Sequence, residues 1–417
     1  MKHGLVRVAG ILVLAAATAS PVASAAKERG IWVRAYNSSP ASYSLKPREP
    51  LPEPLRTVFA EKSVVIGTVR QALAVSVGGD RLRVRFSNEE GRVPLRLDAA
   101  SVAIATEGLT AKRGTMRPIT FGGKRMVVIP PGAPMLSDPI DLTVSPLTEL
   151  IVSAVLPDGL KPAVFGGAGL AILPGDHTLD TAMDGAAIVV GRPVASGVLV
   201  ETRTAPTLIV AFGDSITDGN RSKPSELRGW PERLEQRLVA GGSANRLAVV
   251  NAGIGANRVL QPGAGSPALA RLDRDALSLG RVSHIVFLEG INDIGMAGHT
   301  AFFGDWPTLD EAELIAGYRQ VIARAHLNGV KVIMGTILPF KGAFYYTDAK
   351  ERQRALVNEW IRTSGEPDAI IDFATRMADP ADTNRLNTEY DSGDHLHPNE
   401  LGYRAMGDFV DLSLFNR

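Results

Sequence analysis

The sequence predicts two domains of different class, an all-β domain followed by an α/β domain built on a parallel sheet. The chain has 417 residues, which is more than one ordinary domain requires. In its first half, short extended runs are broken by Gly, Pro, Asn and Asp, and no helical period is evident. After residue 207, apolar runs alternate with longer amphipathic segments, as in βαβ units. We therefore expect domains at 26–200 and 205–417.

In the β-rich half, the clearest predicted strand is 81–86. Charged and apolar residues alternate there, so one face is buried and the other faces solvent. The outward row of Arg81, Arg83 and Arg85 is more typical of a solvated face than of an anion-binding site. Further strands are predicted at 69–77, 126–129 and 150–156. We expect a β-sandwich or a jelly roll.

The second half is predicted to form a three-layer domain around five parallel strands. The apolar runs lie at 208–212, 247–251, 284–288, 330–337 and 369–373. Helical patterns lie at 230–239, 266–279, 309–327, 348–363 and 399–415. In open parallel sheets, ligands bind outside the carboxyl ends of the strands. Residues that directly follow the five runs are therefore the first candidates for catalytic or ligand-binding residues.

Residues 1–25 have the pattern of a secretory signal peptide. Lys2 and Arg7 precede an apolar run at 8–17, which is too short to span a bilayer. Ala-Ser-Ala at 23–25 then offers a cleavage site. We expect a secreted or periplasmic protein, the alternative being an uncleaved membrane anchor. The chain has no cysteine, which excludes disulfides and a thiol nucleophile but does not locate the protein.

Ser215 lies in the turn after the first run of the α/β half. The sequence there is Gly-Asp-Ser at 213–215, with Gly219 close behind, so the backbone can turn sharply and a substrate can approach. Such a turn alone is more often a helix cap than a catalytic elbow. A serine hydroxyl becomes an effective nucleophile only beside a base that is itself oriented by an acceptor. The rest of the chain must supply both groups.

His397 is the best candidate for that base. It lies three residues after Asp394, beyond the last predicted strand, and Pro398 is expected to open the final helix. Asp394 can accept from the imidazole Nδ1–H and leave Nε2 free to face the serine. His395 is a weaker candidate in the same segment. His177 also follows an acidic residue, but it lies in the β-rich half.

Two loops at the same sheet edge offer donors for an oxyanion. The loop 251–258, after the second strand, contains glycines that let backbone N–H groups face a ligand. The loop 290–293, after the third strand, contains Asn292, whose side-chain amide is a donor. A loop asparagine is ordinarily a turn residue, so each signal alone is weak. Their joint order along one edge indicates an active site.

Taken together, these segments resemble the GDSL or SGNH hydrolase superfamily. Its four blocks match, in order, Gly213-Asp214-Ser215, 251–257, 290–293 and Asp394 with His397-Pro398. The resemblance covers about residues 207–414. It implies a flavodoxin-like, three-layer fold with a five-stranded parallel sheet. The β-rich half is similar to accessory domains that precede some secreted members.

For the site, the resemblance implies a catalytic triad of Ser215, Asp394 and His397. The oxyanion hole would consist of the Ser215 N–H, a backbone N–H of the second block and the Asn292 side chain. The glycine that the family uses in the second block falls on Ala256 in this chain. An alanine N–H can serve there if its dihedral angles are unstrained.

The resemblance further implies hydrolysis of carboxylic esters through an acyl-enzyme, with neither cofactor nor metal. Short-chain, aryl and carbohydrate acyl esters, acetyl esters included, are the leading substrates. Trp306 and Tyr345 belong to aromatic clusters after the third and fourth strands. We expect them to wall the leaving-group side, although a small satellite core is an equally good interpretation. With 45 basic and 44 acidic residues, no charge excess favours nucleic acid or a membrane surface as partner.

Two other functions are compatible with parts of the sequence. Asp391, Asp394, His395 and His397 could form a metal-binding cluster, because carboxylate and imidazole groups suit zinc. That interpretation leaves the serine and Asn292 unused, and no His-Glu-x-x-His motif occurs. Alternatively, the chain is a catalytically inert carbohydrate-binding protein. The complete triad argues against this second alternative.

Overall fold

The computed structural model describes residues 1, 30–41, 64–160, 168–192, 194–219, 228–262, 265–298 and 308–416. The predicted signal peptide beyond its first residue and the predicted pocket residue Trp306 lie outside these ranges. Within them, the β-rich half forms antiparallel sheets and the second half forms one parallel sheet flanked by helices, which confirms the predicted fold class. No described helix has both the length and the apolar composition that crossing a bilayer requires.

One antiparallel sheet contains the first described strand and the strand that leads into the α/β half. Its members are β1 Ile31–Asn37, β3 Gly79–Ser87, β9 Pro134–Leu136, β10 Ile140–Val144 and β14 Ala195–Thr202. The order is β1-β14-β3-β10, with β9 paired to β3. Because β1 and β14 are neighbours, the beginning and the end of the β-rich half lie side by side.

The second antiparallel sheet packs against the first. Its members are β2 Val65–Ala74, β5 Ala100–Glu107, β6 Thr110–Ala111, β7 Arg117–Ile119, β11 Glu149–Leu160, β12 Ala168–Leu173 and β13 Ala187–Gly191. The order is β13-β12-β2-β11-β5-β6, with β7 on β5, and a separate pair joins β4 Leu95–Leu97 to β8 Val127–Ile129. Leu82 and Val84 of the first sheet and Leu150 and Val152 of the second belong to one buried core.

The arginine row of β3 has protein partners. Arg81 forms an ion pair with Glu201 on the neighbouring strand, and Arg83 donates to the Ser137 carbonyl at 2.7 Å. Arg85 donates to the Ser196 hydroxyl at 2.7 Å and contacts Glu89. The row therefore links β3 to β14 and to the segment that follows β9.

The α/β half is built on five parallel strands, as predicted. They are β15 Thr207–Gly213, β16 Leu247–Gly253, β17 Val282–Leu288, β18 Lys331–Gly335 and β19 Ala369–Ile371. Their spatial order is β16-β15-β17-β18-β19. The order reverses between β15 and β17, and in sheets of this kind the crevice for a ligand opens at that point. The loops after these two strands are the ones that carry Ser215 and Asn292.

Eight described α-helices accompany the parallel sheet. They are α1 Ser215–Asp218, α2 Trp230–Ala240, α3 Ala268–Asp275, α4 Ile291–Met296, α5 Glu311–Leu327, α6 Asp348–Thr363, α7 Phe373–Met377 and α8 Glu400–Phe409. Short 3₁₀ turns follow α3 and α8 at Leu277–Leu279 and Leu412–Phe415, and a small hairpin joins β20 Ala378–Asp379 to β21 Asp382–Leu386. The longest helix, α5, begins with a capping box between Asp310 and Glu313.

Several predicted elements have different bounds in the structure; the predicted strands 69–77 and 330–337, for example, are Val65–Ala74 and Lys331–Gly335. The predicted strand 369–373 ends at Ile371, because the Asp372 side chain accepts from the Thr375 N–H and starts a helix at Phe373. The predicted helices 266–279 and 399–415 each divide into an α-helix and a 3₁₀ turn. The α1, α4 and α7 helices, of four, six and five residues, were not predicted, because they are too short to show a helical period.

The two halves share their hydrophobic core and are joined by polar contacts. Buried side chains of both halves belong to one continuous apolar cluster. Across the junction, the Asn37 side chain of β1 donates to the Asn251 carbonyl of β16 at 3.0 Å. An ion pair of 2.7 Å links Arg228 to Glu149 of β11. The β-rich half therefore packs directly on the α/β half in the neighbourhood of β16.

Candidate active site

Ser215 lies at the start of a helical turn at the carboxyl end of β15. The Asp214 side chain accepts from the Ile216 N–H at 2.9 Å and caps that turn. Gly213 lies so close to the Leu288 carbonyl and the Thr217 side chain that a Cβ atom would collide with both. Only glycine therefore allows β15 to end in this turn and present Ser215 at the sheet edge.

A continuous relay of hydrogen bonds joins the three predicted triad residues. The Ser215 Oγ lies 2.7 Å from His397 Nε2, and His397 Nδ1 lies 2.6 Å from Asp394 Oδ2. The other carboxylate oxygen of Asp394 accepts from the backbone N–H groups of Leu396 and His397, at 3.0 and 2.8 Å. One turn of backbone thus presents carboxylate and imidazole together, which is the arrangement that activates a serine hydroxyl.

The expected role of Pro398 in this segment is wrong. The final helix begins at Glu400, and the residue that caps it is Asn399, whose side chain accepts from the Gly402 N–H. Pro398 instead lies in an isolated β-bridge with Asp391. An asparagine cap satisfies a free N–H group of the first turn, which a proline ring cannot do.

Charge within the relay favours a protonated imidazole. Burial opposes the charge on His397, but the hydrogen bond and the charge of Asp394 outweigh it, so the pKa of His397 is raised above the ordinary value of 6.5. Burial likewise opposes the charge on Asp394, yet its bonds to His397 hold its pKa well below the usual range. Asp394 therefore stays ionised throughout the neutral range and can stabilise an imidazolium.

His395 belongs to a separate pair. Its Nδ1 lies 2.6 Å from Asp391 Oδ2, and its backbone has a φ of 63°, which turns the chain between the two histidines. The described hydrogen bonds connect the Ser215 hydroxyl to His397. The two Asp–His pairs thus stay distinct, and among the residues described here no group of three or more His, Asp and Glu is arranged to hold a metal ion.

Asn292 is held at the same sheet edge by its own side chain. Its Nδ2 donates to the Asn257 carbonyl at 3.0 Å, and the residue is only 3% exposed. A side-chain amide has two N–H groups, so this bond fixes the orientation of Nδ2 while leaving one donor for a ligand. The two loops that follow β16 and β17 are in this way tied to each other.

The Ala256 backbone has a left-handed conformation. Its φ is 57°, in the region that glycine adopts freely and that costs other residues about 1–2 kcal/mol. The condition of unstrained dihedral angles is therefore not met in this chain. The N–H group is retained by alanine, and the strain gives a physical reason why a glycine suits this position.

Arg271 of α3 supports this edge from inside the protein. Its side chain is fully buried and donates to the carbonyls of Gly213 and Ala252, at 2.9 and 2.6 Å. It also donates to Asn257 Oδ1 at 2.8 Å, and its guanidinium lies 3.8 Å from the centre of the Phe212 ring. One cation thereby joins the ends of β15 and β16 to the residue that holds Asn292.

Three carboxyl groups lie buried under the site. Burial raises the pKa of Asp214 to about 7 and that of Asp293 to about 6, and it raises the pKa of Glu289 well above the usual range. Asp293 accepts from the Val259 and Leu260 N–H groups at 2.9 and 3.3 Å, which fastens the second loop onto α4. The charge on Asp214 also helps to raise the pKa of His397.

Tyr345, predicted to wall the pocket, is buried. It is 1% exposed, and its ring packs against Gly295 of α4 and against Phe340 and Phe344. Its hydroxyl has no hydrogen-bond partner among the described residues. The ring therefore supports the helix that carries Asn292, and contact with a substrate remains a prediction.

Comparison with known proteins agrees with the resemblance seen in the four sequence blocks. Residues 211–405 match the model of the GDSL-like lipase/acylhydrolase family. After this match, we call the segment the GDSL-like domain. It includes every residue of the hydrogen-bonded relay and of the two donor loops. No curated protein matches the chain.

The chain is also similar to solved structures of hydrolases. One is a GDSL-like lipase from Bacteroides thetaiotaomicron, with 19% identity and a TM-score of 0.38, covering 50% of this chain and 87% of that one. Another is a variant of an acetyl xylan esterase from Geobacillus stearothermophilus, with 20% identity, a TM-score of 0.39, and coverage of 49% and 93%. A third is an alpha/beta hydrolase from the metagenome of Lake Arreo, with 19% identity, a TM-score of 0.39, and coverage of 49% and 94%.

Sequence reasoning about the GDSL-like domain missed its buried supports. Arg271 and Asp275 lie on the same face of α3 as Ala268 and Leu272, and all four are buried. Charged residues on the apolar stripe of an amphipathic helix are the signal that could have revealed them. Asp293 lies within the third block, 290–293, but nothing in its spacing indicated that it binds the segment after the second block.

We expect the pH dependence of the GDSL-like domain to follow His397. The base must be neutral, so kcat/KM should fall on the acid side with an apparent pKa above 6.5. Asp394→Asn removes the charge that raises this pKa, so the acid limb should move to lower pH and kcat should fall about 10²- to 10⁴-fold. Asp391→Asn is the matched control and should shift the limb much less. An unchanged limb in Asp394→Asn would contradict this assignment of the base.

Substitutions at Ala256 should show how far activity and stability depend on the left-handed conformation of its backbone. Ala256→Gly keeps the N–H group and removes the left-handed strain, so kcat/KM should stay within about threefold of the wild type. Ala256→Val puts a β-branched residue at positive φ, so both Tm and kcat should fall. Thermal unfolding and steady-state kinetics of the two variants provide the measurement. A valine variant as active and stable as the wild type would show that this loop has another conformation.

Proposed function

We propose that the chain is an exported serine ester hydrolase that acts through an acyl-enzyme. The observation that carries the proposal is the relay from Asp394 through His397 to the Ser215 hydroxyl, with bonds of 2.6 and 2.7 Å. The relay lies at the sheet edge where the strand order reverses, and Asn292 follows β17 at the same edge. The family match supports a lipase or acylhydrolase activity of this domain.

Acylation begins with attack of Ser215 Oγ on the ester carbonyl carbon. As the new C–O bond forms, the hydroxyl proton passes to His397 Nε2, and the carbonyl oxygen becomes a tetrahedral oxyanion. Asp394 remains ionised and stabilises the imidazolium through the bond at Nδ1. The intermediate collapses, the alcohol leaves with the proton from Nε2, and the acyl group remains on Ser215.

Deacylation repeats these steps with water as the nucleophile. His397 takes a proton from the water, the oxyanion forms again, and its collapse releases the acid and returns the proton to Ser215 Oγ. In both steps we assign the oxyanion donors to the N–H groups of Ser215 and Ala256 and to the second N–H of Asn292. Donors fixed before reaction stabilise the developing charge without reorganisation. The bond from Asn292 to the Asn257 carbonyl supports this role.

For the substrate we propose short-chain, aryl or carbohydrate acyl esters, with acetyl esters included. The support for carbohydrate esters is the combination of a predicted signal peptide and a β-rich domain that precedes the hydrolase.

Cleavage of the signal peptide predicts that the exported protein begins at residue 26. N-terminal sequencing of protein from the periplasm or medium tests this, and full-length protein confined to the membrane fraction would favour the uncleaved anchor.

The decisive variant for the proposed function is Ser215→Ala. On a panel of nitrophenyl acyl esters and acetylated glycans, it should lose about 10⁴-fold or more in kcat/KM, because the nucleophile is gone. Ser364→Ala, which changes a serine at the end of α6, should retain full activity and serves as the control.

Three outcomes would contradict the proposal. Full turnover by Ser215→Ala would remove the nucleophile assignment. Activity that is lost to a chelator but untouched by a serine-directed phosphonate would favour the metal-dependent alternative. Glycan binding by the wild type without turnover of any ester would favour the inert carbohydrate-binding protein.

A further inference from the structure

We propose that the β-rich half is a structural part of the catalytic unit, and that its Arg192 positions the turn that carries Ser215 against the loop that carries Ala256. This inference rests on the proposed function. Arg192 directly follows β13, in the second antiparallel sheet. Although it belongs to the β-rich half, its guanidinium lies between two segments of the hydrolase half.

The contacts of Arg192 form a buried bridge. Nη1 lies 3.1 Å from Asp218 Oδ1, and Nη2 donates to the Gly253 carbonyl at 3.2 Å. The Arg192 and Asp218 side chains are only 7% and 4% exposed. Nη1 also lies 3.4 Å from the Ser38 hydroxyl of the β-rich half. A planar guanidinium has donors fixed in a fork, so binding two acceptors at once sets the spacing between them.

The two acceptors belong to the segments that carry the proposed chemistry. Asp218 is the last residue of α1, whose first residue is Ser215. Gly253 ends β16, three residues before Ala256. The segments touch directly, because a Cβ atom on Gly253 would collide with the backbone of Asp218. Arg192 therefore stabilises the contact between these two segments. That contact sets the position of Ser215 relative to the N–H group of Ala256, a proposed oxyanion donor.

A second residue of the β-rich half reaches the same junction. Within the hydrolase half, the Asn251 side chain joins the two segments: it donates to the Thr217 carbonyl at 2.7 Å and accepts from the Gly253 N–H at 2.8 Å. Asn37 of β1 donates to the Asn251 carbonyl at 3.0 Å. Two separate segments of the β-rich half, the end of β1 and the residue after β13, thus contact this junction.

These contacts distinguish a positioning role from simple tethering. A tethered binding module would need only surface contacts with the hydrolase, and such contacts are present elsewhere. Glu90 of the β-rich half, for example, pairs at 2.8 Å with Arg274, on α3. Arg274 keeps a second partner, Asp275, at 2.6 Å, so Glu90→Gln removes a contact between the halves without leaving that arginine unpaired. Loss of Arg192, in contrast, leaves the Asp218 carboxylate buried and unpaired, which is strongly destabilising.

The test compares Arg192→Gln and Arg192→Lys with Glu90→Gln in the full-length protein. We expect both Arg192 variants to lower kcat by about tenfold to a hundredfold with little change in KM, since a small displacement of reacting groups has effects of this size. Lysine restores the charge beside Asp218 but cannot span both acceptors, so it should recover Tm more than kcat. Glu90→Gln should keep kcat within about twofold of the wild type.

Folded Arg192 variants whose kcat stays within about twofold of the wild type would overturn the inference. Complete recovery of kcat in Arg192→Lys would overturn it too, because charge compensation alone would then suffice. If Arg192→Gln does not fold, as judged by circular dichroism, the kcat of Arg192→Lys relative to the wild type tests the inference. The two failures are distinguishable: when Ser215→Ala abolishes turnover but folded Arg192 variants keep their kcat, the proposed function stands and this inference alone fails.

Discussion

The carboxyl edge of the parallel sheet is organised around the buried guanidinium of Arg271. Strand ends leave carbonyl groups that need donors, and here Arg271 donates to the carbonyls of both Gly213 and Ala252. The same guanidinium orients the Asn257 side chain, while the Asn257 carbonyl holds Asn292. The turn that carries Ser215 and the loops after β16 and β17 thus share a single buried anchor, whose charge is balanced by the Asp275 carboxylate.

Above this anchor, charge is distributed so that one imidazole can accept and return a proton. Asp394 stays ionised because His397 and two backbone N–H groups bind it. Asp214 and Asp293 lie close by, but burial raises their pKa values to about 7 and 6, so their negative charge is incomplete near neutral pH. The site therefore keeps one strongly ionised carboxylate at the imidazole and limits the negative charge near a forming oxyanion.

The sequence was informative where local order determines spatial order. Parallel strands end at one edge of a sheet, so the succession of segments after β15, β16 and β17 predicted that Ser215 and Asn292 would lie together. The three-residue spacing of Asp394 and His397 predicted their pairing, because one turn spans it. Buried arginines could not be placed in this way. Their partners are backbone carbonyls from distant segments, and every residue type has such a carbonyl.

In the β-rich half, too, contacts between distant segments could not be predicted from the sequence. Alternation predicted strand β3, but the pairing of β1 with β14 joins residues at least 160 positions apart, and no local pattern encodes it. The docking of that half against β16 could not be predicted from the sequence either, because Asn37 and Arg192 lie outside any recognisable motif.

In the proposed reaction, the hydroxyl of Ser215 becomes acylated with His397 as its base. The most direct measurement is covalent labelling by a serine-directed phosphonate, followed by peptide mass spectrometry and by the same experiment on His397→Ala. We expect one adduct, on Ser215, formed in parallel with loss of ester hydrolysis and much more slowly in the His397 variant. Labelling at another residue, or loss of activity without any adduct on Ser215, would contradict it.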